Sequence, residues 1–396
     1  MRNQTSSKLG EALSVLVLAL SMSEGLIVAY DYSPLALKIA SDLRLSYTDI
    51  GLLQTCLFVP FMILQIPAGL LADRYSSKRL ILLSMPLMLL SAALFALSNS
   101  ESILLFSRVL SGISLGMMFV PVIRYLLMSI GGFAPGLSLG ILASMQAAGS
   151  VVASFAPAIL ADMTGSWRTA LMLLASPLAL LFFLLLPIKE SQTNTNRLSV
   201  TESVKGILSN KTSWVLGFDN FVRFGIVLLL TTWVPSYLMD RFSYQLLPAS
   251  ETLGIMWIMA AISSLLGGYI TDKERGAFYV IEAGLLLTSL FLFLVPRANS
   301  SIITEIILPI LGGAMYLAFS PMFSLLPSLI GRQNPGFVSG VQNTFATFGA
   351  AVFPFMMGYL RDITGGFDYG WSVSALLTLV AALVSMQLSS SLRRGV

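Results

Sequence analysis

Long apolar stretches separated by short polar ones run through almost the whole chain. Each is about as long as a helix that crosses a bilayer, which needs roughly 20 apolar residues. The twelve stretches cover residues 11–32, 47–70, 79–98, 102–125, 136–160, 168–187, 212–238, 250–271, 277–296, 302–328, 336–359 and 370–390. Because lipid offers no hydrogen-bond partner to an open backbone, this pattern predicts an all-α integral membrane protein with twelve transmembrane helices.

A polar stretch at 188–211 divides the pattern into two sets of six. It contains the run KESQTNTNRLSVTES and is too short for a separate domain. We therefore predict an N-terminal six-helix bundle over residues 1–187, a cytoplasmic linker over 188–211 and a C-terminal six-helix bundle over 212–396.

The two halves repeat each other at a shift of about 200 residues. The matches include DMTG at 162–165 with DITG at 362–365, Gly112 with Gly312 and Gly149 with Gly349. Two similar six-helix halves indicate parallel repeats about an axis along the membrane normal. That pseudo-symmetric architecture predicts a binding site between the halves, near the middle of the membrane.

The lysine and arginine positions predict how the chain is oriented. With the N-terminus inside, fourteen of the 23 basic residues fall on that face, six fall on the opposite face and three lie within spans. Cytoplasmic loops are enriched in Lys and Arg, so both termini are expected in the cytoplasm. Short loops favour a multi-pass protein of a prokaryotic cell membrane.

Composition removes several classes of function. Only 11% of the residues are charged, whereas soluble domains carry roughly 25%. No basic stripe suits nucleic acid, histidine is absent, and the single cysteine, Cys56, cannot form an intramolecular disulfide. No phosphate-binding loop or nucleophile elbow is present. We therefore expect a monomer that is not an enzyme, with no metal or cofactor, and with a small solute and membrane lipid as partners.

The turn after the second apolar stretch carries a glycine, an Asp-Arg pair and a basic pair. It reads GLLADRYSSKR over 69–79, and GYITD at 268–272 repeats its beginning in the second half. This loop resembles the signature loop of the major facilitator superfamily, which implies a secondary transporter with a cytoplasmic gate. The implied gate residues are Gly69, Asp73, Arg74, Lys78, Arg79 and Asp272. Read without the resemblance, the basic residues anchor the loop in the cytoplasm and contact anionic lipid.

Charged residues within the first and fourth spans are candidates for proton coupling, because each is costly in hydrocarbon. Glu24 and Asp31 are seven residues apart and share a helix face. A carboxylate in a low-dielectric cavity can carry a proton, although Asp31 also fits an interfacial position. Arg108 lies four residues before Gly112 and resembles the fourth-span motif of the same family. We predict that it pairs with the two carboxylates.

Span seven carries Asp219 and Arg223, four residues apart on one face. These two side chains either neutralise each other or leave Arg223 to bind a carboxylate or phosphate substrate, which suits a guanidinium. Other polar residues could bind the substrate or merely a neighbouring helix. They are Asn220, Gln146, Gln342, Asn343 and Arg124, the last of which could also extend to the cytoplasmic interface.

Residues near the span ends are assigned to the membrane surface. Aromatic residues there are typical of an interfacial belt, and acidic residues there are expected to be exposed. The aromatic residues are Tyr30, Tyr32, Trp233 and Tyr237, and the acidic ones are Glu282 and Glu305.

Two kinds of transporter compete. WVPSYL at 233–238 resembles a string of the anion:cation symporters, and Tyr30-Asp31 resembles their Tyr-x-Asp-Arg element, with Tyr32 in place of the arginine. This resemblance implies proton-coupled symport of a small organic anion. The acid pair and arginine also resemble those of proton-driven multidrug exporters, but Ala153-Ser154 replaces the Gly-Pro of the antiporter motif. A non-transporting membrane receptor is the third possibility.

Overall fold

A computed structural model describes residues 2–74, 76–128, 135–188, 210–274, 277–318, 322 and 335–394. In these ranges the chain is helical and contains no β-strand. The α-helices are α1 (Arg2–Tyr30), α2 (Ala36–Leu43), α3 (Tyr47–Arg74), α4 (Ser77–Ala96), α5 (Glu101–Met128), α6 (Pro135–Thr164), α7 (Trp167–Ala175), α8 (Pro177–Leu185), α9 (Lys211–Phe242), α10 (Leu246–Glu274), α11 (Ala277–Leu294), α12 (Ser301–Leu317), α13 (Pro335–Thr364) and α14 (Asp368–Arg394). Two 3-10 turns lie at Ser33–Leu35 and Val295–Arg297.

Ten of the described helical segments are long and apolar enough to cross a membrane, and Ser301–Leu317 is a shorter apolar helix. This confirms the all-α membrane architecture. The sixth predicted stretch is divided into α7 and α8 at Ser176, because Pro177 begins a new helix and has no N–H to donate to the preceding turn. The predicted linker falls mostly on 189–209 and the end of the tenth stretch on 319–328, which lie outside the described residues except for 322.

The chain forms two compact units. The first unit consists of residues 1–44 and 56–196, and the second unit of residues 45–55 and 197–396. Helix α3 therefore begins in the second unit and continues in the first. Cys56, which is partly buried, is the first residue of α3 that belongs to the first unit.

The glycines matched by the sequence repeat occupy matched helix contacts. A Cβ on Gly112 of α5 would lie 2.0 Å from the carbonyl oxygen of Leu57 on α3. A Cβ on Gly312 of α12 would lie 2.4 Å from Cγ of Met256 on α10. Such separations are far below contact distance, so both glycines allow helix backbones to approach closely. The second and fourth spans of each half therefore pack at the same repeat position.

We expect Gly112→Val to destabilise the protein by about 1–3 kcal/mol or more, the usual cost of overpacking a close contact. The added side chain meets the backbone of α3, which cannot rotate away as a flexible side chain would. The measurement is the midpoint of thermal unfolding in detergent. Gly366→Ala is the matched control, because a Cβ there meets nothing within 4 Å. Equal midpoints for the two variants would contradict close packing at Gly112.

A carboxylate distant in sequence caps the beginning of α3. Asp362, near the end of α13, accepts hydrogen bonds from the backbone N–H groups of Tyr47, at 3.2 Å, and Thr48, at 2.7 Å. A negative charge at a helix N-terminus is stabilising, because the first N–H groups of a helix have no partner within it. The adjacent Arg361 pairs with Asp240 of α9 at 3.0 Å, and its guanidinium lies 4.5 Å from the centre of the Tyr47 ring. We call this arrangement the α3 cap.

The prediction of an interfacial aromatic belt is wrong, because all four of the aromatic side chains assigned to it are buried inside the protein. Trp233 donates from Nε1 to the carbonyl oxygen of Pro354 at 2.9 Å, and the Tyr237 hydroxyl donates to the carbonyl oxygen of Val295 at 3.2 Å. A polar ring atom with an internal acceptor does not need the lipid headgroups. The four buried residues are Tyr30, Tyr32, Trp233 and Tyr237.

Candidate functional site

A buried arginine lies at the centre of the first unit's charged cluster. Arg108 of α5 is 2% exposed and donates from Nη1 to the carbonyl oxygen of Val28 at 3.0 Å. Its Nη2 lies 3.9 Å from Oδ1 of Asp31. The rings of Tyr32 and Phe95 stand 4.4 Å and 4.1 Å from the guanidinium carbon, close enough for cation–π attraction. The charge is therefore surrounded by one carboxylate, one carbonyl and two aromatic faces.

Of the two predicted carboxylates of the first unit, Asp31 pairs with this arginine and Glu24 acts on Asp31. Asp31 follows the last residue of α1, and Glu24, two turns earlier, acts on it electrostatically. Glu24 is buried, and its Oε1 has no hydrogen-bond partner among the described residues. A small cavity borders Asp31, Arg108, Ser91 and other residues, with a volume of about 10 Å³, room for roughly one water molecule. The structure thus pairs Asp31 with Arg108, whereas Glu24 interacts with Asp31, and the proton-coupling role of the three residues stays a prediction.

A second buried arginine lies in the second unit, on the longest described helix. Arg223 of α9 is 2% exposed. The amide oxygen of Asn220 accepts hydrogen bonds from Arg223 Nε, at 3.3 Å, and Nη2, at 2.9 Å. The rings of Phe224 and of Tyr316 on α12 are centred 6.0 Å and 5.9 Å from its guanidinium carbon. Asn220 therefore holds the guanidinium in one orientation without cancelling its charge.

Asp219 has a different environment from Arg223, although only one turn of α9 separates them. It is fully buried, with the Ser385 hydroxyl of α14 beside it. The charged neighbour that acts on it is Glu282 of α11. The described contacts of Arg223 include Asn220 and Tyr316, and the choice between substrate binding and a pair with Asp219 stays a prediction.

The other predicted binding residues are less closely grouped. Gln146 on α6 and Asn343 on α13 are each partly buried, and the side chain of Gln342 lies outside the described residues. Arg124 donates from Nη1 to the Ser77 hydroxyl at 3.2 Å, which places it against the first residue of α4. Substrate contact by these four residues stays a prediction.

The predicted gate loop is only partly described. Helix α3 ends at Arg74 and α4 begins at Ser77, where Lys78 donates from Nζ to the carbonyl oxygen of Leu186 at 2.7 Å. Arg79 is exposed. The side chains of Asp73, Arg74 and Asp272 and the surroundings of Gly69 are not among the described features. The gate function of this motif therefore stays a prediction.

Sequence reasoning missed one buried acidic residue. Glu282 was expected to be exposed near a span end, but it is 7% exposed and accepts a hydrogen bond from the Ser389 hydroxyl of α14. It lies in the second turn of α11, on the side that packs against α14. Ser385 and Ser389 are one helical turn apart on α14, and this spacing of hydroxyls was the available signal for a polar contact inside the bundle.

Comparison with known proteins places this geometry in a family. The model of the Major Facilitator Superfamily matches residues 13–354. The nitrite extrusion protein of Bacillus subtilis (strain 168) is 24% identical, over 92% of this chain and 91% of the relative. The hexuronate transporter of the same organism is 24% identical, over 91% of this chain and 90% of the relative. The crystal structure of a bacterial homologue of the human lysosomal transporter Spinster shares the fold, with a TM-score of 0.83 and 16% identity over 96% and 97% of the two chains.

Proposed function

The chain belongs to the major facilitator superfamily, and we propose that it moves a small oxyanion or organic carboxylate across the cell membrane together with protons. It is a multi-pass membrane protein of the bacterial plasma membrane type. Its activity is transport by alternating access rather than catalysis, and it needs a proton gradient rather than a cofactor. It acts as a monomer.

The proposal includes twelve transmembrane helices in two six-helix bundles, with both termini in the cytoplasm. The order of the described helices supports this count when α1 with α2, and α7 with α8, are each taken as one span. The excess of basic residues on the face that carries the termini supports the orientation. The matched contacts of Gly112 and Gly312 support two halves of the same design.

Arg223 is the observation that carries the choice of an anion. Its guanidinium is buried in the middle of a 32-residue helix and is oriented by Asn220. A buried arginine is costly unless an anion meets it, and its planar set of donors matches the two oxygens of a carboxylate or a nitrite ion. The names of two relatives also support an anionic substrate, since nitrite is an oxyanion and a hexuronate is a sugar carboxylate.

A second candidate function is proton-driven export of the same class of anion. The relative that is named for nitrite extrusion favours this direction. The pair of Asp31 and Arg108 is compatible with either direction, because a protonatable carboxylate beside an arginine can couple proton movement to import or to export.

Transport by the purified protein in proteoliposomes tests the proposal. We expect uptake of labelled nitrite, nitrate or a hexuronate, with accumulation when the outside is more acidic than the lumen. Import is established if an inward proton gradient drives accumulation, and export if the same gradient drives loss of preloaded anion. A cationic dye serves as the control solute, and we expect it not to move. Absence of both uptake and exchange for every anion tested would contradict transport and would favour a receptor.

A further inference from the structure

The second unit also buries a carboxylate that the anion proposal does not require. Asp219 of α9 is 0% exposed. Neither of its carboxylate oxygens accepts a hydrogen bond among the described residues. The Ser385 hydroxyl lies beside Asp219 and likewise makes no hydrogen bond among the described residues. An ionised carboxylate in such a place, inside a transmembrane helix, is expensive.

The helices around Asp219 bring no compensating positive charge to it among the described residues. Helix α14 contributes the Ser385 hydroxyl, and α11 contributes a second acid, Glu282. On α9 itself, the guanidinium of Arg223 is directed to Asn220 and faces Tyr316 of α12.

Helix α13 packs along the same part of α9 with aromatic rings. A Cβ on Gly217 would lie 2.8 Å from the ring of Phe345. A Cβ on Gly225 would lie 2.3 Å from the ring of Phe353. These rings meet a different face of α9 from the one that carries Asp219, whose described neighbours are one acid and one hydroxyl.

Glu282 completes a small all-oxygen cluster. It is buried and accepts a hydrogen bond from the Ser389 hydroxyl, one turn from Ser385 on α14. Burial and the nearby charge of Glu282 both disfavour an ionised Asp219, because two carboxylates in one buried site repel each other. A proton on one of them removes one charge and supplies an O–H donor for an otherwise unbonded oxygen.

We propose that Asp219 and Glu282, with the hydroxyls of Ser385 and Ser389, form a proton-binding site of the second unit, separate from the cluster of Asp31 and Arg108 in the first. The site takes up one proton from water and converts a carboxylate into a carboxylic acid. Only the role of this site in transport rests on the proposed function, because that role is to bind a proton within the bundle that carries Arg223. Proton occupancy itself follows from the contacts of the two acids.

Difference infrared spectroscopy of the purified protein in lipid tests the site without any transport measurement. We expect a buried carboxylic-acid carbonyl band at neutral pH that shifts in heavy water. Asp219→Asn and Glu282→Gln should each remove or displace this band, because the two acids share it. Ser389→Ala should move the band without removing it, since only the hydrogen bond to Glu282 is lost. Glu251→Gln, at an exposed position on α10, is the matched control and should leave the band unchanged.

Three outcomes separate this proposal from the alternatives. A spectrum that neither Asp219→Asn nor Glu282→Gln changes overturns the site, provided that both variants keep the wild-type unfolding midpoint. A wild-type protein with no buried carboxylic-acid band at neutral or acidic pH also overturns it, because neither acid then holds a proton. A band that responds as expected in a protein that transports no anion supports the site and contradicts only the proposed function.

Discussion

We expect Arg223→Ala to weaken anion binding by about a hundred-fold or more while the protein still folds. Truncating one partner of a buried, hydrogen-bonded ionic contact costs about 2–5 kcal/mol, and each 1.4 kcal/mol is a factor of about ten in affinity. Arg223→Lys keeps the charge but loses the planar donor pair that Asn220 orients, so we expect an intermediate affinity. The measurement is isothermal titration with nitrite and with a hexuronate, followed by uptake in proteoliposomes.

Arg241→Ala is the control for the Arg223 variants. Arg241 lies near the end of the same helix at an exposed position, and it pairs with Asp368 at 3.2 Å. An exposed ion pair contributes about 0–1 kcal/mol, so this variant should bind and transport as the wild type does. If Arg223→Ala retains wild-type affinity, Arg223 is not part of the anion site and the main support for an anionic substrate is lost.

We expect Glu24→Gln to abolish proton-driven accumulation but to leave counterflow exchange intact. Glutamine has the shape of glutamate and cannot take up or release a proton at this position. Glu24 is buried, and its Oε1 makes no hydrogen bond that the change would break among the described residues. The protein should therefore still bind and exchange anion. The measurement is the ratio of internal to external anion with and without an imposed pH gradient.

The matched control for this experiment is Glu101→Gln, at an exposed position in the first turn of α5. It should retain full accumulation. Unchanged dependence on the pH gradient in Glu24→Gln would remove Glu24 from the coupling cluster. Loss of both accumulation and exchange would show that the side chain is needed for binding or folding instead.

The fold was predictable from sequence because the membrane imposes a length on every span. Apolar stretches of about 20 residues lead directly to helices, and the glycine matches at a shift of about 200 residues lead to two similar halves. The contacts of Gly112 and Gly312 agree with that repeat, because a position that admits no side chain constrains sequence and structure together.

The orientation of each helix about its own axis was much harder to predict. A helix that is apolar all round has no polar face to show which side meets lipid and which side meets protein. This explains why Glu282 and the aromatic residues Tyr237 and Trp233 were assigned to the membrane surface, although all three are buried. The chain signals such burial only through neighbouring hydroxyls, as at Ser385 and Ser389.

Contacts between distant parts of the chain left even less trace in the sequence. The α3 cap joins Thr48 to Asp362, which are 314 positions apart. DITG at 362–365 was recognised as a repeat of DMTG at 162–165, and Asp162 is exposed. The repeat therefore identified the segment but not its use, because only one of the two copies caps the beginning of a helix in the described residues.

The single thiol of the chain has a practical consequence for experiments. Cys56 is the only cysteine, and it follows directly after the last residue of α3 that belongs to the second unit. A fluorophore or spin label can therefore be attached to the natural sequence at one defined position, with no other thiol to remove. The emission of the fluorophore or the line shape of the spin label then reports on α3 throughout a transport cycle. The labelled residue is the one at which α3 passes from the second unit to the first.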